Sequence, residues 1–153
     1  MSKNVKTVSP ETNFRKLGEI IFGKPESKKY PSTPVVDNKG KLLGIVTQED
    51  IIRKLYPSQK ELIENFFEVS NFQKMEEGIH EIENLSAKDL MHEIPHTTTL
   101  DTPILQAGSL MLVHHLRRLM VVNDNGILIG IITMGDIFRA MCNHLKKNHH
   151  KIH

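Results

Sequence analysis

The stretch TPVVDNKGKLLGIVTQEDIIRKL, residues 33–55, is nearly copied 86 residues later as LMVVNDNGILIGIITMGDIFRAM, residues 119–141. Ten of the 23 positions are identical without a gap. Each copy has two apolar runs joined by a turn that ends in glycine, and then Thr-x-x-Asp. Asn and Asp before Gly supply the positive φ that a tight hairpin needs. The repeat therefore predicts two copies of one strand–turn–strand–helix unit.

The similarity continues upstream, where residues 6–14 (KTVSPETNF) align with residues 96–104 (HTTTLDTPI) at an offset of 90. This segment predicts a short strand and then a helix, capped by Thr12 or Thr102. Each repeat is thus expected to be β-α-β-β-α with a three-stranded sheet. Apolar residues at helical spacing predict the buried faces of the two helices. They are Phe14, Leu17, Ile20 and Ile21 in the first copy, and Ile104, Leu105, Leu110 and Val113 in the second.

Composition is that of a soluble globular protein, with 153 residues, 39% hydrophobic and 25% charged. No apolar run approaches the roughly 20 residues that span a bilayer, no secretory signal is recognisable, and Cys142 is the single cysteine. We therefore expect a cytoplasmic protein without a membrane partner. Net charge is +5 over residues 1–56, −5 over 57–86 and +2 over 87–153. A nucleic-acid partner is not expected, because a strong basic stripe is lacking.

The order of these segments resembles the CBS (cystathionine β-synthase) domain, and a tandem pair resembles the Bateman module. The resemblance rests on VSPET, a helix, PVVD and then GKLLGIVT with x-x-Asp, and on their second copies. The lead-in LSAKDLMHEIPHTTT (85–99) also resembles the segment that opens such domains. The first copy lacks this lead-in. The second copy has Met120 where the family usually has proline, which the first keeps as Pro34.

Repeat and resemblance together predict an α+β fold of two pseudo-symmetric CBS domains, each β-α-β-β-α, packed sheet to sheet. The expected boundaries are 1–56 for the first domain, 57–84 for a helical insertion, 85–145 for the second domain and 146–153 for a mobile basic, histidine-rich tail. Apolar residues from Leu62 to Ile82 recur at helical spacing in the insertion. They would pack back on the module or form a dimer or partner surface.

The repeated Thr-x-x-Asp has two interpretations. A Thr followed three residues later by an acid, just before a helix, is close to a capping box, which alone would explain the pattern. A helix N-terminus also attracts anions, and a carboxylate accepts two hydroxyl donors, as the ribose of a nucleotide offers. The resemblance implies this second role, with Asp on the ribose hydroxyls, Thr on phosphate or ribose, and the apolar residue two before Thr on adenine. The implied site residues are Ile45, Thr47 and Asp50 in one site, Ile131, Thr133 and Asp136 in the other, and Thr7 and Thr97 as secondary contacts, in clefts that the family assembles between its two domains.

The residues expected to contact the phosphate of the nucleotide differ between the two repeats. His115, Arg117 and Arg118 precede the second copy's strand, where family members often carry a basic residue that faces phosphate. Pro31 and Ser32 occupy the aligned positions of the first copy. Arg binds phosphate through two parallel hydrogen bonds, whereas Pro has no donor. The alternative is that Arg117 and Arg118 are a solvated helix end. If both sites bind, we expect unequal affinities.

The resemblance implies a stand-alone regulatory module that binds an adenine nucleotide, AMP, ADP or ATP, and signals to an unknown regulated protein or to its own homodimer. S-adenosylmethionine and NAD carry the same adenosine. The alternative is a structural or interaction module with empty clefts. No catalytic arrangement, P-loop or required cofactor is recognisable, so we do not expect an enzyme. The C-terminal histidines, including His144 and His149, match no defined metal site, and we expect no metal.

Overall fold

The computed structural model describes residues 1–23, 32–55, 70–94 and 96–149, and these ranges contain six helices and five strands. This content confirms the α+β fold class. The helices are α1 (Phe14–Ile21), α2 (Gln48–Leu55), α3 (Ser70–Ile82), α4 (Ala87–Leu90), α5 (Ile104–Val113) and α6 (Met134–His149). The strands are β1 (Ser32–Val36), β2 (Leu42–Thr47), β3 (Thr97–Thr98), β4 (Arg118–Val122) and β5 (Leu128–Thr133). None of the described helices is long and apolar enough to cross a membrane.

The two repeats form matching hairpins, β1–β2 and β4–β5, whose strands begin and end at positions 86 residues apart. Gly40 and Gly126 close the predicted turns with φ of +83° and +76°, so the positive φ lies at the glycines and not, as the sequence had predicted, at the Asn and Asp residues before them. In the second repeat β3 adds parallel to β4, giving the sheet order β3-β4-β5. The expected third strand of the first repeat is reduced to one bridge between Val8 and Val35. The pairing is still equivalent, since Thr98 pairs with Val121.

The predicted caps of α1 and α5 are wrong by one residue. Asn13 caps α1, because its side-chain oxygen accepts from the backbone N–H of Lys16 at 2.9 Å. Thr12 instead turns back to accept from the N–H of Ser9 at 3.1 Å. Pro103 is the cap residue of α5 and makes no side-chain hydrogen bond to the helix. The threonines thus shape the turn that precedes each helix.

The predicted buried face of α5 is also wrong in part, because Leu105 and Val113 are more than 60% exposed. Ala107, Gly108 and Met111 are buried instead. A Cβ placed on Gly108 would lie 3.0 Å from a methyl carbon of Ile137, so this small residue lets α6 approach closely. In the first repeat the prediction holds, since Leu17, Ile20 and Ile21 are buried.

The chain divides into two compact units that we call the repeat-1 unit and the repeat-2 unit. The repeat-1 unit comprises Lys6–Asn38 and Leu43–Ile94, and the repeat-2 unit comprises Met1–Val5, Lys39–Leu42 and Pro95–His153. Residues 85–94 of the lead-in predicted to open the second domain therefore pack in the repeat-1 unit, where Ala87 and Leu90 join the core. Equivalent residues line the two cores. They are Val35, Val46 and Ile51 in one unit and Val121, Ile132 and Ile137 in the other.

The insertion and the C-terminus are partly described. Helix α3 covers the second half of the insertion; it buries Ile82, whereas Ile79 is about half exposed. The rest of the insertion's apolar pattern lies outside the described residues. Helix α6 continues to His149, through the first residues of the predicted tail.

Candidate functional site

The first Thr-x-x-Asp lies where β2 ends and α2 begins, and it forms a reciprocal capping box. Both the backbone N–H and the hydroxyl of Thr47 donate to Oδ2 of Asp50, at 2.7 and 2.6 Å. The backbone N–H of Asp50 donates back to Oγ1 of Thr47 at 3.2 Å. These bonds satisfy helix-end donors that would otherwise lack a partner. The capping geometry predicted from the sequence is thereby confirmed.

The second Thr-x-x-Asp repeats the arrangement at the start of α6. The N–H and hydroxyl of Thr133 each donate to Oδ2 of Asp136 at 2.9 Å, and the N–H of Asp136 donates to Oγ1 of Thr133 at 3.3 Å. In both copies one carboxylate oxygen, Oδ2, makes the cap. We call Ile45, Thr47 and Asp50 the Asp50 half-site, and Ile131, Thr133 and Asp136 the Asp136 half-site. Each half-site lies within one compact unit.

A third capping box lies at the start of α4, where no buried strand precedes the helix. The N–H and hydroxyl of Ser86 donate to Oδ2 of Asp89, both at 2.8 Å. The backbone hydrogen bond from Ser86 holds the pKa of Asp89 below its ordinary value. Asp89 is exposed to solvent, whereas the side chains of Asp50 and Asp136 are only 17% and 14% exposed. Burial therefore distinguishes the two repeated carboxylates from a simple surface cap.

The other oxygen of Asp50 contacts a residue that the sequence did not indicate. Nδ1 of His92 lies 2.9 Å from Oδ1 and 3.0 Å from Oδ2 of Asp50. Because an ionised carboxylate only accepts hydrogen bonds, this ring nitrogen must carry the hydrogen. The backbone of His92 is fixed by two hydrogen bonds to Ile45, both 3.0 Å long. The lead-in thus brings an imidazole to the Asp50 half-site.

The equivalent oxygen of Asp136 contacts an ammonium and a guanidinium instead of an imidazole. The terminal ammonium of Met1 lies 3.1 Å from Oδ1 of Asp136, and Nη1 of Arg139 lies 3.6 Å from the same atom. Burial on its own would raise the pKa of Asp136. The hydrogen bonds from Thr133 and the ammonium outweigh it, so the pKa lies below its ordinary value. Ser2 pairs with Ile131 through two backbone hydrogen bonds, as His92 does with Ile45.

At each half-site the strand, β2 or β5, and the segment bridged to it approach closely at a glycine. A Cβ on Gly44 would lie 2.7 Å from the carbonyl oxygen of His92, and one on Gly130 would lie 2.7 Å from Sδ of Met1. The neighbouring isoleucines, Ile45 and Ile131, are each 8% exposed. Each half-site therefore combines a buried apolar residue, a tightly packed strand and a capped carboxylate.

The predicted arginines occupy different positions. Arg118 begins β4 and is the register partner of Thr133, so the two lie side by side in the sheet. Burial lowers the pKa of its guanidinium. Arg117 is exposed and lines a 380 Å³ apolar pocket at the end of α5, together with Met134 among others. Ser32 begins β1 at the position equivalent to Arg118, and Pro31 lies outside the described residues.

The predicted secondary contacts lie farther from the carboxylates. Thr97 pairs with Met120 of β4, and the sheet order places β4 between it and β5. Thr7 precedes Val8, whose bridge to Val35 gives the same arrangement in the first repeat. Two strand spacings correspond to roughly 10 Å. The structure therefore brings together Ile, Thr and Asp of each half-site and Arg118, but not these threonines.

Sequence reasoning missed His92 and Arg139, of which only Arg139 had a signal in the alignment of the two repeats. At the offset of 90 residues His92 aligns with Ser2. Ser2 pairs with Ile131 as His92 pairs with Ile45, so the first residues of the chain take the place of the lead-in with a different side chain. Arg139 aligns with Arg53, which instead binds Glu49 at 2.6 Å. Gly135 stands where the first copy has Glu49, so Arg139 lies beside Asp136. Within the described ranges no group of three or more His, Cys, Asp or Glu residues could hold a metal ion.

Comparison with known proteins gives relatives along nearly the whole chain. An uncharacterized protein of Methanocaldococcus jannaschii is 32% identical over 126 residues, which cover 74% of each chain. CBSX2, a chloroplastic CBS domain-containing protein of Arabidopsis thaliana, is 29% identical over 150 residues, covering 90% of this chain but only 59% of that one. The chain thus spans roughly three-fifths to three-quarters of the length of these relatives.

The fold has solved counterparts as well. The crystal structure of the CBS-pair protein CBSX2 from Arabidopsis thaliana matches with a TM-score of 0.69 and 26% identity, over 94% of this chain and 89% of that chain. CBSX2 in complex with AMP matches with a TM-score of 0.66 and 26% identity, over 92% and 90% of the two chains. Residues 1–57 and 87–143 each match the CBS domain family, in the order of the two repeats. The chain therefore belongs to the CBS domain family, as a tandem CBS pair, or Bateman module.

Proposed function

We propose that this protein is a stand-alone CBS-pair regulatory module that binds an adenine nucleotide and passes its bound state to a partner protein or to its own dimer. One observation carries the proposal. Two equivalent carboxylates, Asp50 and Asp136, stand at helix N-termini, largely buried, and each has one oxygen outside the cap. A carboxylate in this position accepts the two hydroxyl hydrogens of a ribose, and the helix end attracts its phosphate.

Each side chain has a role in this proposal. Oδ1 of Asp50 or Asp136 accepts from the ribose hydroxyls, while Oδ2 keeps the cap. Ile45 and Ile131 pack on the adenine, and Thr47 and Thr133 stand beside the phosphate or ribose. Arg118, next to Thr133 in the sheet, binds phosphate at the Asp136 half-site, and the first repeat has Ser32 there. Arg117 and the more distant Thr7 and Thr97 are secondary contacts.

The ligand class is AMP, ADP or ATP. The AMP complex of CBSX2, a relative with the same fold, supports it. S-adenosylmethionine and NAD carry the same adenosine, so the binding experiments should include them. In this proposal the protein is a cytoplasmic regulator rather than an enzyme. The nucleotide then acts as a signal, and no metal or second cofactor is required. Binding shifts the molecule only as far as the nucleotide prefers one arrangement over another.

Nucleotide binding is tested in two steps. Mass spectrometry of the denatured protein identifies any nucleotide that co-purifies. Calorimetry with AMP, ADP and ATP then compares the wild type with Asp50→Ala and Asp136→Ala, each of which should weaken binding at its half-site about tenfold or more. Asp89→Ala is the matched control, because it removes a capping box of the same type whose carboxylate accepts its hydrogen bonds from Ser86. Unchanged heats in both half-site variants would refute the assignment.

The second candidate is a structural or interaction module whose half-sites bind no ligand. A specific observation favours it, since the caps are complete and Oδ1 of each Asp already contacts a cationic or N–H donor of this chain. In that case Asp50→Ala, Asp136→Ala and Asp89→Ala lower thermal stability by similar amounts, and none of AMP, ADP and ATP raises the melting temperature of the wild type. A nucleotide-dependent rise in the wild type excludes this candidate.

We further propose a homodimer formed through α5 and α6. Large apolar side chains on these neighbouring helices are at least 60% exposed; they are Leu105, Leu112, Val113, Phe138 and Leu145. Several large apolar side chains exposed on two neighbouring helices favour an interaction site. Sedimentation velocity should give a dimer for the wild type and a monomer for Phe138→Glu. Leu100→Glu, on an exposed residue outside the helices, should remain dimeric. Equal masses for wild type and Phe138→Glu would contradict this interface.

A further inference from the structure

The imidazole of His92 occupies the part of Asp50 that the proposed ligand needs. Oδ2 of Asp50 already accepts two hydrogen bonds from Thr47, so Oδ1 is the oxygen with the most remaining capacity. Nδ1 of His92 takes that oxygen at 2.9 Å and also lies 3.0 Å from Oδ2. A ribose hydroxyl and this ring nitrogen are both hydrogen-bond donors that require the same lone pairs.

We propose that His92 is an internal competitor at the Asp50 half-site, so that a ribose reaches Asp50 only when the imidazole leaves. This inference rests on the proposed function and adds a residue that controls affinity at one half-site. Departure of the ring is a side-chain rotation alone, because the backbone of His92 stays bonded to Ile45. The ring is 52% exposed, so water can receive it.

The second half-site provides the comparison. Ser2 pairs with Ile131 as His92 pairs with Ile45, but serine has no imidazole to place on the carboxylate. Asp136 contacts the ammonium of Met1 and the guanidinium of Arg139 instead. His92→Ser therefore gives the Asp50 half-site the side chain that the second half-site carries at this position. The internal competitor is removed while the strand pairing and the cap remain.

The binding test isolates the Asp50 half-site by using an Asp136→Ala background. In calorimetry with ATP and AMP, adding His92→Ser should tighten binding roughly three- to tenfold, the range for losing a half-exposed charge-assisted hydrogen bond. His144→Ser, on an exposed histidine of α6, is the matched control and should leave affinity unchanged. With Asp50→Ala added, His92→Ser should give no gain, because the ring then has no carboxylate to cover.

A second measurement follows the ring itself and needs no ligand. Long-range ¹H–¹⁵N NMR distinguishes the two imidazole tautomers. In the wild type the hydrogen of neutral His92 should be on Nδ1, which donates to Asp50. Asp50→Ala should move it to Nε2, and saturating ATP should do the same in the wild type.

The outcomes separate this inference from the proposed function. If ATP binds and His92→Ser leaves its affinity within about twofold of the background, His92 is not a competitor, while the proposed function stands. The same conclusion follows if ATP binds and the Nδ1–H tautomer persists. If neither the wild type nor any variant binds AMP, ADP or ATP, the proposed function and this inference are both overturned.

Discussion

Asp50 and Asp136 occupy equivalent places in the two repeats and make the same capping box, yet they differ in everything that contacts their second oxygen. Asp50 has an imidazole that belongs to the lead-in segment. Asp136 has an ammonium and a guanidinium, and its pKa is held below its ordinary value. The repeat thus conserves the carboxylate and its cap, while the groups that compete with or attract a ligand are set separately in each copy.

The differences trace to single positions outside the ten identical ones. Glu49 holds Arg53 in the first copy, whereas Gly135 leaves Arg139 beside Asp136 in the second. His92 and Ser2 differ in the paired lead-ins. A pseudo-symmetric fold can therefore give two equivalent carboxylates different neighbours through single side-chain changes.

The largest expected effect comes from Gly44→Ala. Its new methyl group would lie 2.7 Å from the backbone carbonyl of His92, so the lead-in must move, at a cost of about 1–3 kcal/mol in the free energy of unfolding. Gly130→Ala should cost less, about 1 kcal/mol, because its two nearest atoms belong to the flexible side chain of Met1 and the nearest backbone atom, the carbonyl oxygen of Ser2, is 3.1 Å away. Urea denaturation measures both.

Gly18→Ala is the control for these two variants. A Cβ there meets nothing within 4 Å, and the residue lies inside α1. It should therefore raise stability by about 0.5–1 kcal/mol through helix propensity. Equal losses for Gly44→Ala and Gly130→Ala would mean that the two lead-ins pack alike, and the comparison would fail at this point.

The next effect is the contribution of Asp136 to the pH dependence of the free energy of unfolding. Its pKa in the folded protein is lower than the ordinary value of 3.8. Its ionised form therefore stabilises the fold fully above that value, and this contribution is lost as the pH falls through the folded pKa. Asp136→Asn should cost about 1 kcal/mol at neutral pH and progressively less below pH 3.8. A cost that stays constant from pH 7 down to about pH 2 would contradict the charged contacts of Asp136.

A smaller effect is expected at a core position where the two repeats differ, Thr33 and Leu119. Thr33 is fully buried, and its hydroxyl has no hydrogen-bond partner in the part of the chain that the structure describes, whereas Leu119 stands at the equivalent position. Thr33→Val should raise the free energy of unfolding by about 1 kcal/mol, measured from the urea midpoint. Thr99→Val, at an exposed threonine, should change it by less than about 0.5 kcal/mol. A loss of stability in Thr33→Val would show that the hydroxyl has a partner.

The sequence predicted the hairpins, their glycines and both capping boxes, because these depend on local residues that the repeat displays twice. It predicted the buried face of α1 but not that of α5. The segment ILQAGSLMLV is apolar around most of the helix, so periodicity alone could not select a face. The close contact at Gly108 decided it.

His92 could not be predicted as a site residue from spacing, because it lies 42 residues from Asp50 and belongs to the lead-in of the other copy. Local patterns carry no information on which strand a lead-in will join. Only the pairing of His92 with Ile45 brings the imidazole to the carboxylate. The role of the half-sites in nucleotide binding likewise remains a prediction that binding experiments must test.

The most direct test asks whether the ribose hydroxyls are what Asp50 and Asp136 bind. Calorimetry would compare ATP with 2′,3′-dideoxy-ATP on the wild type and on the Asp50→Ala/Asp136→Ala double variant. We predict that the wild type binds the dideoxy analogue about tenfold or more weakly, and that the double variant binds both compounds equally and weakly. Wild-type affinities for the two compounds within about twofold of each other would contradict the account.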